Sequence, residues 1–389
     1  MRRHLTIWPL ALCGLATVAS CEDRRYSTWM LDSIKARKQG IISSGESSSF
    51  LETGILSIAM EAALKQYPEL KDQYVPYLEE VLNEGTPNLV NATYVATRPL
   101  DRFSVANAIN AISKSGIATI SDTASAASKA INESLSLQIR NPVGGFWYYV
   151  YPQWSYLDGM FSVLPFMAAQ PQPNYTDISL QVSLLYEHCF QKNTSLVAHG
   201  YDYSKTSVWA NKETGASPYV WGRAVGWFVA GLVQTWEALD CPAGKHEAKA
   251  VCKQLQHMTT QLATSLIRYA DPETGVWWQL TTFPGRSGNY LESSSTALFM
   301  FSMLKGERLG LLSNSKVDFK KAALKAYDYT TRNFVVDTGN GTIGYNKTVA
   351  VCSLNSTASY EYYTHQPLLP NSLLGESAFI LASLEVERK

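Results

Sequence analysis

An all-α fold is what the sequence predicts, and three observations predict it. Apolar residues recur at three- and four-residue spacing along most of the chain, as in Phe50-Leu51, Ile55-Leu56, Ile58-Ala59 and Ala62-Ala63. That repeat places them on one face of a helix. The runs are separated by clusters of Gly, Pro, Ser and Asn, which stop helices and turn the chain. No long run of alternating residues competes, although Thr342–Cys352 and Trp277–Thr282 have the composition of short hairpins.

In chain order the expected helices span 23–38, 50–66, 71–84, 104–114, 121–138, 157–169, 174–190, 219–239, 246–270, 289–305, 316–334 and 371–388. Several boundaries carry their own signals: Pro68-Glu69 after Tyr67, Ser121-Asp122 ahead of Ala124, and Asp271-Pro272 after Ala270. Twelve helices with no linker and no break in composition argue for one domain over 21–389. Helical hairpins in this number can pack as a ring, an inner set against an outer set, with a pocket at the end where the loops gather. A solenoid would use the same hairpins, but no repeat recurs at a fixed period. Function is expected on the long connections 85–103, 139–156, 191–218 and 271–288, because structureless loops of that length are uncommon unless they work.

Composition narrows the partners. With 46% hydrophobic and 17% charged residues the chain can bury a sizeable core, and 33 basic residues balance 33 acidic ones. No Lys/Arg cluster is present, which argues against nucleic acid. The aromatic share of 12%, with 10 Trp and 22 Tyr, tilts towards sugars and other ring-shaped ligands. Residues 1–20 read as a secretion signal: Arg2 and Arg3, an apolar run from Leu5 to Val18, then Val18 and Ser20 before a cut. That run is too short, and too interrupted by Pro9, to span a membrane. Val18-Ala19-Ser20-Cys21 also has the form of a bacterial lipoprotein site, which would anchor the chain at Cys21. Against this stand Asn-x-Ser/Thr sequons at Asn91, Asn132, Asn174, Asn193, Asn340, Asn346 and Asn355. Roughly three would arise by chance, so a secreted glycoprotein is the expectation. Beyond the signal the cysteines are Cys21, Cys189, Cys241, Cys252 and Cys352, with no zinc-like spacing. Disulfides suit an exported protein, and Cys241 with Cys252 is the expected pair, bracketing a Pro/Gly-containing connection.

Four stretches carry candidate chemistry. Gly144 to Phe161 sets aromatic residues ahead of a single carboxylate, Asp158, at a helix start. Aromatic faces stack on sugar rings, and an apolar pocket can hold a carboxyl group neutral. The plain alternative is that Asp158 only favours the helix dipole. Arg98-Pro99-Leu100-Asp101-Arg102 places an acid between arginines, where an N-cap or a surface ion pair is the plain alternative. His199-Gly200-Tyr201-Asp202 and Trp221-Gly222-Arg223-Ala224-Val225-Gly226-Trp227 bring His, Arg and Trp to the start of one helix. Trp and His are often core residues, but an Arg among tryptophans must be paired or bind an anion. Gly222 and Gly226, four apart, admit a close backbone or ligand. In Asn289-Tyr290-Leu291-Glu292-Ser293-Ser294, the small hydroxyl residues allow tight packing, while Glu292 could line the pocket. No metal-ligand spacing, Gly-x-Ser-x-Gly elbow or phosphate loop appears.

Gly145-Phe146-Trp147, Tyr151-Pro152, Leu157-Asp158-Gly159-Met160-Phe161, His199-Gly200-Tyr201-Asp202, Trp221 to Trp227 and Asn289 to Ser294 stand in one order. In that order they resemble the unsaturated rhamnogalacturonyl hydrolases, glycoside hydrolase family 105, over most of the mature chain. The resemblance implies a single (α/α)6 barrel, no metal or organic cofactor, and removal of the 4,5-unsaturated uronic acid left at oligosaccharide ends by pectin lyases. An unsaturated oligosaccharide is thus the expected partner, with no nucleic acid, no membrane, and the chain acting as a monomer. By motif position Asp158 corresponds to the acid/base and Asp101 to a second acid that holds substrate or water. His199, Arg223, Trp221 and Trp227 correspond to uronate-binding residues, with Arg223 or a nearby donor facing the carboxylate; Tyr156 and Trp147 are further substrate contacts. The chain departs from bacterial members at Tyr156, where Trp is frequent, at Tyr148-Tyr149, where His-Lys is frequent, and in an early platform reduced to Phe50. These changes fall on the aglycone side. An unsaturated glucuronyl hydrolase would share barrel and chemistry; a non-catalytic sugar-binding protein would keep the tryptophans without needing both acids.

Overall fold

The structure is a computed structural model that describes residues 25–42, 44, 48–313 and 316–388. The expected secretion signal and Cys21 lie outside the described residues. Each of the twelve expected segments contains a helix. In chain order these are α1 Tyr26–Ala36, α2 Ser49–Gln66, α3 Lys71–Gly85, α5 Arg102–Ser115, α6 Asp122–Ser134, α7 Met160–Ala168, α8 Tyr175–Cys189, α9 Gly222–Ala238, α10 Lys249–Tyr269, α11 Ser293–Arg308, α12 Phe319–Asn333 and α14 Leu373–Glu387. Two short helices fall where loops were expected, α4 Ala92–Ala96 and α13 Tyr360–Thr364.

Packing partners define the architecture. Helices α2, α5, α7, α9, α11 and α14 contact one another in that order, and α14 returns to α2, closing an inner ring. Around it α3 packs on α2, α6 on α5, α8 on α7, α10 on α9, α12 on α11, and α1 on α14. This is the (α/α)6 barrel. The sequence shows which helix belongs to which layer. Inner helices are enclosed on all sides, so α7 buries all nine of its residues and α11 every residue from Ser293 to Leu304. Outer helices bury a stripe, as α12 does with Phe319, Ala323, Ala326 and Thr330.

Inner helices crowd one another, and small residues let them do so. A Cβ on Gly226 would come 2.8 Å from Leu298, and one on Gly222 would come 2.9 Å from Ser295. The paired glycines of α9 therefore admit α11, not a ligand. On the opposite side, a Cβ on Gly231 would lie 2.5 Å from the Met160 carbonyl oxygen.

Several expected starts come early, three of them at the barrel end where the site forms. Residues 157–159, 219–221 and 289–292 are not helical, and α7, α9 and α11 begin just after them. The hairpin expected within Thr342–Cys352 is replaced by two others. Strand β6 Ile343–Tyr345 pairs back to β5 Val335–Asp337, and β7 Thr348–Val349 pairs onward to β8 Leu368–Leu369. Lys347, with φ 65°, turns the chain between the two pairings. Trp277–Thr282 does not fold on itself either; Trp278 bridges Leu291 and Leu280 bridges Trp221. Two more ladders join β1 Trp154–Tyr156 to β4 Gly200–Asp202 and β2 Phe190–Gln191 to β3 Leu196–Val197. Cys241 and Cys252 form the expected disulfide, with Cα atoms 5.7 Å apart, across the α9–α10 connection. Cys189 and Cys352 are free and buried. All the sequon asparagines are exposed except half-buried Asn346, a placement glycan attachment requires. No described helix is long and apolar enough to cross a membrane.

Gly231→Val tests the inner-ring packing. Valine gains little helix propensity over glycine, whereas its Cβ meets a backbone oxygen that cannot swing aside. A loss of about 2–3 kcal/mol is expected from urea denaturation; an unchanged midpoint would contradict the close approach of α9 to α7.

Candidate active site

At one end of the ring the loops enclose a cavity of about 350 Å³. Its wall includes Asp101, Tyr148, Tyr156, Asp158, Trp221, Arg223 and Trp227, together with Phe50, Arg98, Tyr149, Tyr151 and the Val351–Ser353 backbone turn. Short antiparallel pairing sets the central contact. Tyr156 of β1 lies opposite Gly200 of β4, and the Leu157 amide donates to the His199 carbonyl at 3.0 Å. Gly200 allows this approach, because a Cβ there would stand 2.5 Å from the Ser155 carbonyl oxygen. Strand β1 then delivers Asp158 beside the His199 ring.

His199 Nε2 stands 3.1 Å from Asp158 Oδ2. The angle is too poor for a hydrogen bond, so neither atom has a hydrogen-bond partner. On its other side His199 Nδ1 is 2.8 Å from the Tyr363 hydroxyl. When that hydroxyl donates to Nδ1, the neutral ring carries its proton on Nε2, facing the carboxylate. The ring is held between Trp221, with centroids 4.7 Å apart, and Tyr156 at 5.2 Å. Asp158 does not cap α7: that helix begins at Met160 and no side chain caps it.

Asp101 occupies the N-cap position of α5 but makes no capping bond. Its Oδ2 accepts the Tyr148 hydroxyl at 2.6 Å, and its Oδ1 is buried without a partner. Burial is the main cause that pushes the Asp101 carboxyl up, with a smaller contribution from the charge of Asp158. The Tyr148 hydrogen bond and the Arg102 charge pull it down, and the balance is a pKa of about 7. Arg102 is not its ion-pair partner; its guanidinium donates to Ser134, Gln138 and the carbonyls of Arg98 and Pro99.

The other expected site residues fall into two groups. Trp221, Arg223, Trp227 and Tyr156 reach the cavity. Arg223 NH1 and NH2 donate to the carbonyls of Val349 and Ala350, and the Ser294 hydroxyl lies at 3.5 Å. No carboxylate among the described residues lies within ion-pair distance of it. Glu292 is near without an ion pair: its Oε1 accepts the Ser294 hydroxyl and the Val349 amide, so Arg223 reaches the cavity wall with no direct carboxylate partner among the described residues. Trp147, expected to touch substrate, is not on the wall. Trp147 and Tyr148 point to opposite sides of an extended segment, and Tyr148 takes the cavity side. Glu292 is not on it either: its carboxylate accepts the Ser294 and Ser295 amides and caps α11. Among the described residues no three His, Cys, Asp or Glu side chains gather as metal ligands.

Three contributors are not evident from the sequence: Tyr363, which sets His199; Gln279, which accepts Trp221 Nε1 at 3.0 Å; and the 351–353 turn. Gln279 lies on the connection 271–288, already singled out by its length. Tyr363 and residues 351–353 lie between the expected helices 316–334 and 371–388, a longer stretch without an expected helix than any loop singled out, and length alone marks it.

Comparison with known proteins agrees with the fold. The model of Glycosyl Hydrolase Family 88 matches residues 54–389. A family 105 glycoside hydrolase from C. acetobutylicum has the same fold at TM-score 0.77, with 28% identity over 94% of this chain and 99% of its own. The unsaturated glucuronyl hydrolase of Bacillus sp. GL1, responsible for the degradation of glycosaminoglycan, superposes at 0.58 with 13% identity, covering 94% and 95% of the two chains. Protein Atu3128 of Agrobacterium fabrum is 37% identical over 131 residues, 34% of this chain and 52% of its own length. The chain spans about half the length of the curated relatives it matches. The family match over most of the sequence and the family 105 likeness together mean that the chain belongs to the family 88/105 glycoside hydrolases.

Proposed function

We propose that the protein removes a 4,5-unsaturated uronic acid from the non-reducing end of lyase-generated rhamnogalacturonan oligosaccharides. The observation that carries this reading is a single cavity lined by aromatic rings that two buried acids, Asp158 and Asp101, share with an arginine lacking a direct carboxylate partner among the described residues. The substrate is an enol ether, with C4=C5 conjugated to a carboxylate and the ring oxygen on C5. As the acid, Asp158 gives a proton to C4, leaving oxocarbenium character at C5. Water adds to C5 and returns its proton to the Asp158 carboxylate. The hemiketal so formed opens to a C5 ketone, and the freed C1 hemiacetal releases the aglycone alcohol. One water is consumed and the enzyme's proton is restored. Arg223 attracts the uronate carboxylate, His199 holds Asp158 in position, and Trp221 and Trp227 present ring faces to the sugar.

Loss of the ultraviolet absorbance of the conjugated C=C–carboxylate tests the reaction. Absorbance should fall with the unsaturated rhamnogalacturonan disaccharide and stay constant with chondroitin disaccharides. Decay with the chondroitin products alone would make the protein a glucuronyl hydrolase, and no decay with any unsaturated disaccharide would make it a sugar binder. Asp158→Asn, close in size, should cut kcat by about a thousandfold with the circular dichroism spectrum unchanged; near-normal turnover would remove Asp158 from the acid/base role.

Asp101 sets the pH dependence. Its raised pKa keeps it protonated below about 7. Ionisation above that adds a negative charge beside Asp158 and opposes an anionic substrate, so kcat/KM should fall as pH rises through about 7. Tyr148→Phe deletes the hydrogen bond that favours the ionised carboxylate. The alkaline limb should then move to higher pH; a shift to lower pH would overturn the assignment of that limb to Asp101.

A further inference from the structure

One cation at the cavity has no role in the chemistry above. Arg98 is half-buried and forms part of the wall. Among the described residues its hydrogen bonds run from Nε and NH2 to the Thr97 hydroxyl, at 3.3 and 3.1 Å. Of five N–H donors, three are left over. No described carboxylate lies within ion-pair distance of it. Its guanidinium carbon rests 4.5 Å from the centre of the exposed Tyr94 ring and 6.0 Å from that of Tyr149. Neighbouring Arg102, by contrast, is fully buried with every contact internal.

Aromatic rings link this cation to the acids. Tyr156 stacks on Tyr148 at 4.4 Å, Tyr151 lies parallel to Tyr156 at 6.3 Å, and Tyr149 meets Tyr151 edge-on at 5.3 Å. All four line the cavity. Tyr156 is buried, while Tyr148, Tyr151 and Tyr149 are half-buried. A sugar chain whose first ring lies at Asp158 can run along this aromatic row, and Arg98 stands at its far end.

We propose that Arg98 and Tyr149 form an outer subsite that binds a second anionic sugar, a uronate carried in the aglycone beyond the scissile linkage. The inference rests on the reading of the cavity as a saccharide site and adds its polarity: the substrate is charged at both ends. A neutral aglycone leaves Arg98 unused. A disaccharide ends before it, and a tetrasaccharide of alternating uronate and neutral sugar supplies the carboxylate.

The test compares wild type with Arg98→Gln on unsaturated rhamnogalacturonan disaccharide and tetrasaccharide, by turnover and by titration calorimetry. Arg98→Gln should raise KM and Kd for the tetrasaccharide about three- to tenfold, the range of a partly exposed charge pair. For the disaccharide neither should change by more than about twofold, since no charge there meets Arg98. Added salt should weaken tetrasaccharide binding to wild type more than to the variant. Arg98→Lys should restore part of the preference, because charge without the planar fork still attracts a carboxylate. Equal affinity of wild type for both lengths, or an equal loss for both in Arg98→Gln, overturns the outer subsite. Calorimetry separates this result from turnover: a length-independent affinity sinks the subsite even if both sugars are hydrolysed, and absent turnover bears on the catalytic reading alone. A sulfated chondroitin disaccharide, bound more weakly by Arg98→Gln than by wild type, would place the anion on the neighbouring ring and overturn the two-ring spacing.

Discussion

The site depends on a pairing of two three-residue strands. Strand β1 and strand β4 are too short to be stable alone, yet their register puts Asp158 against His199. That register is held from three sides. Gly200 leaves room for the Ser155 carbonyl, the Leu157 amide is anchored on the His199 carbonyl, and the Met160 carbonyl at the start of α7 abuts Gly231 of α9. A slip of one residue would turn Asp158 out of the cavity. The barrel supplies the rigidity that the strands lack, which is how a chain of helices positions its reacting group on extended backbone.

Electrostatics follow from where that backbone ends. Two carboxyls in one dry cavity cannot both ionise at little cost. Asp101 takes the consequence, its carboxyl held near 7 by burial and by its neighbour's charge. Tyr148 moderates the effect through the hydrogen bond it donates to Asp101. Arg223 is arranged the other way. Its donors on Val349 and Ala350 fasten the turn that lines the cavity, and carbonyls satisfy hydrogen bonds without cancelling charge. One residue thus fixes a wall and brings a guanidinium to its surface.

The fold is legible in the sequence to the degree that layers leave a pattern. Outer helices such as α12 show a stripe, and inner ones such as α7 show an apolar run broken only by Ser162; both patterns are local. Helix starts at the site fall a few residues later than the pattern suggests, because Leu157, Trp221 and Leu291 continue the apolar pattern while their backbones are held by strand-like partners distant in sequence. The motif residues Asp101, Asp158, His199, Trp221, Arg223 and Trp227 stand out because their side chains have few other reasons to be buried together. Glu292 has such a reason, an N-cap, and Trp147 sits on the wrong side of an extended segment; neither fact is visible without the backbone. Tyr363 does not stand out, because one tyrosine among 22 carries no mark until His199 is placed beside it.

Floor and rim of the cavity obey different constraints. Floor residues are fully buried and each is tied by packing or hydrogen bonds to two elements or more, so changing one moves its neighbours. Rim residues such as Arg98, Tyr149 and Tyr151 are half-exposed and linked mostly by ring contacts worth about 1 kcal/mol each. They can change with little effect on the barrel. On the proposed reading, chemistry is tied to the inner ring and the choice of aglycone to groups that the fold leaves free to vary. That division is why the reaction type is readable from ordered motifs, while the identity of the next sugar has to be argued from the charge and stacking of the rim.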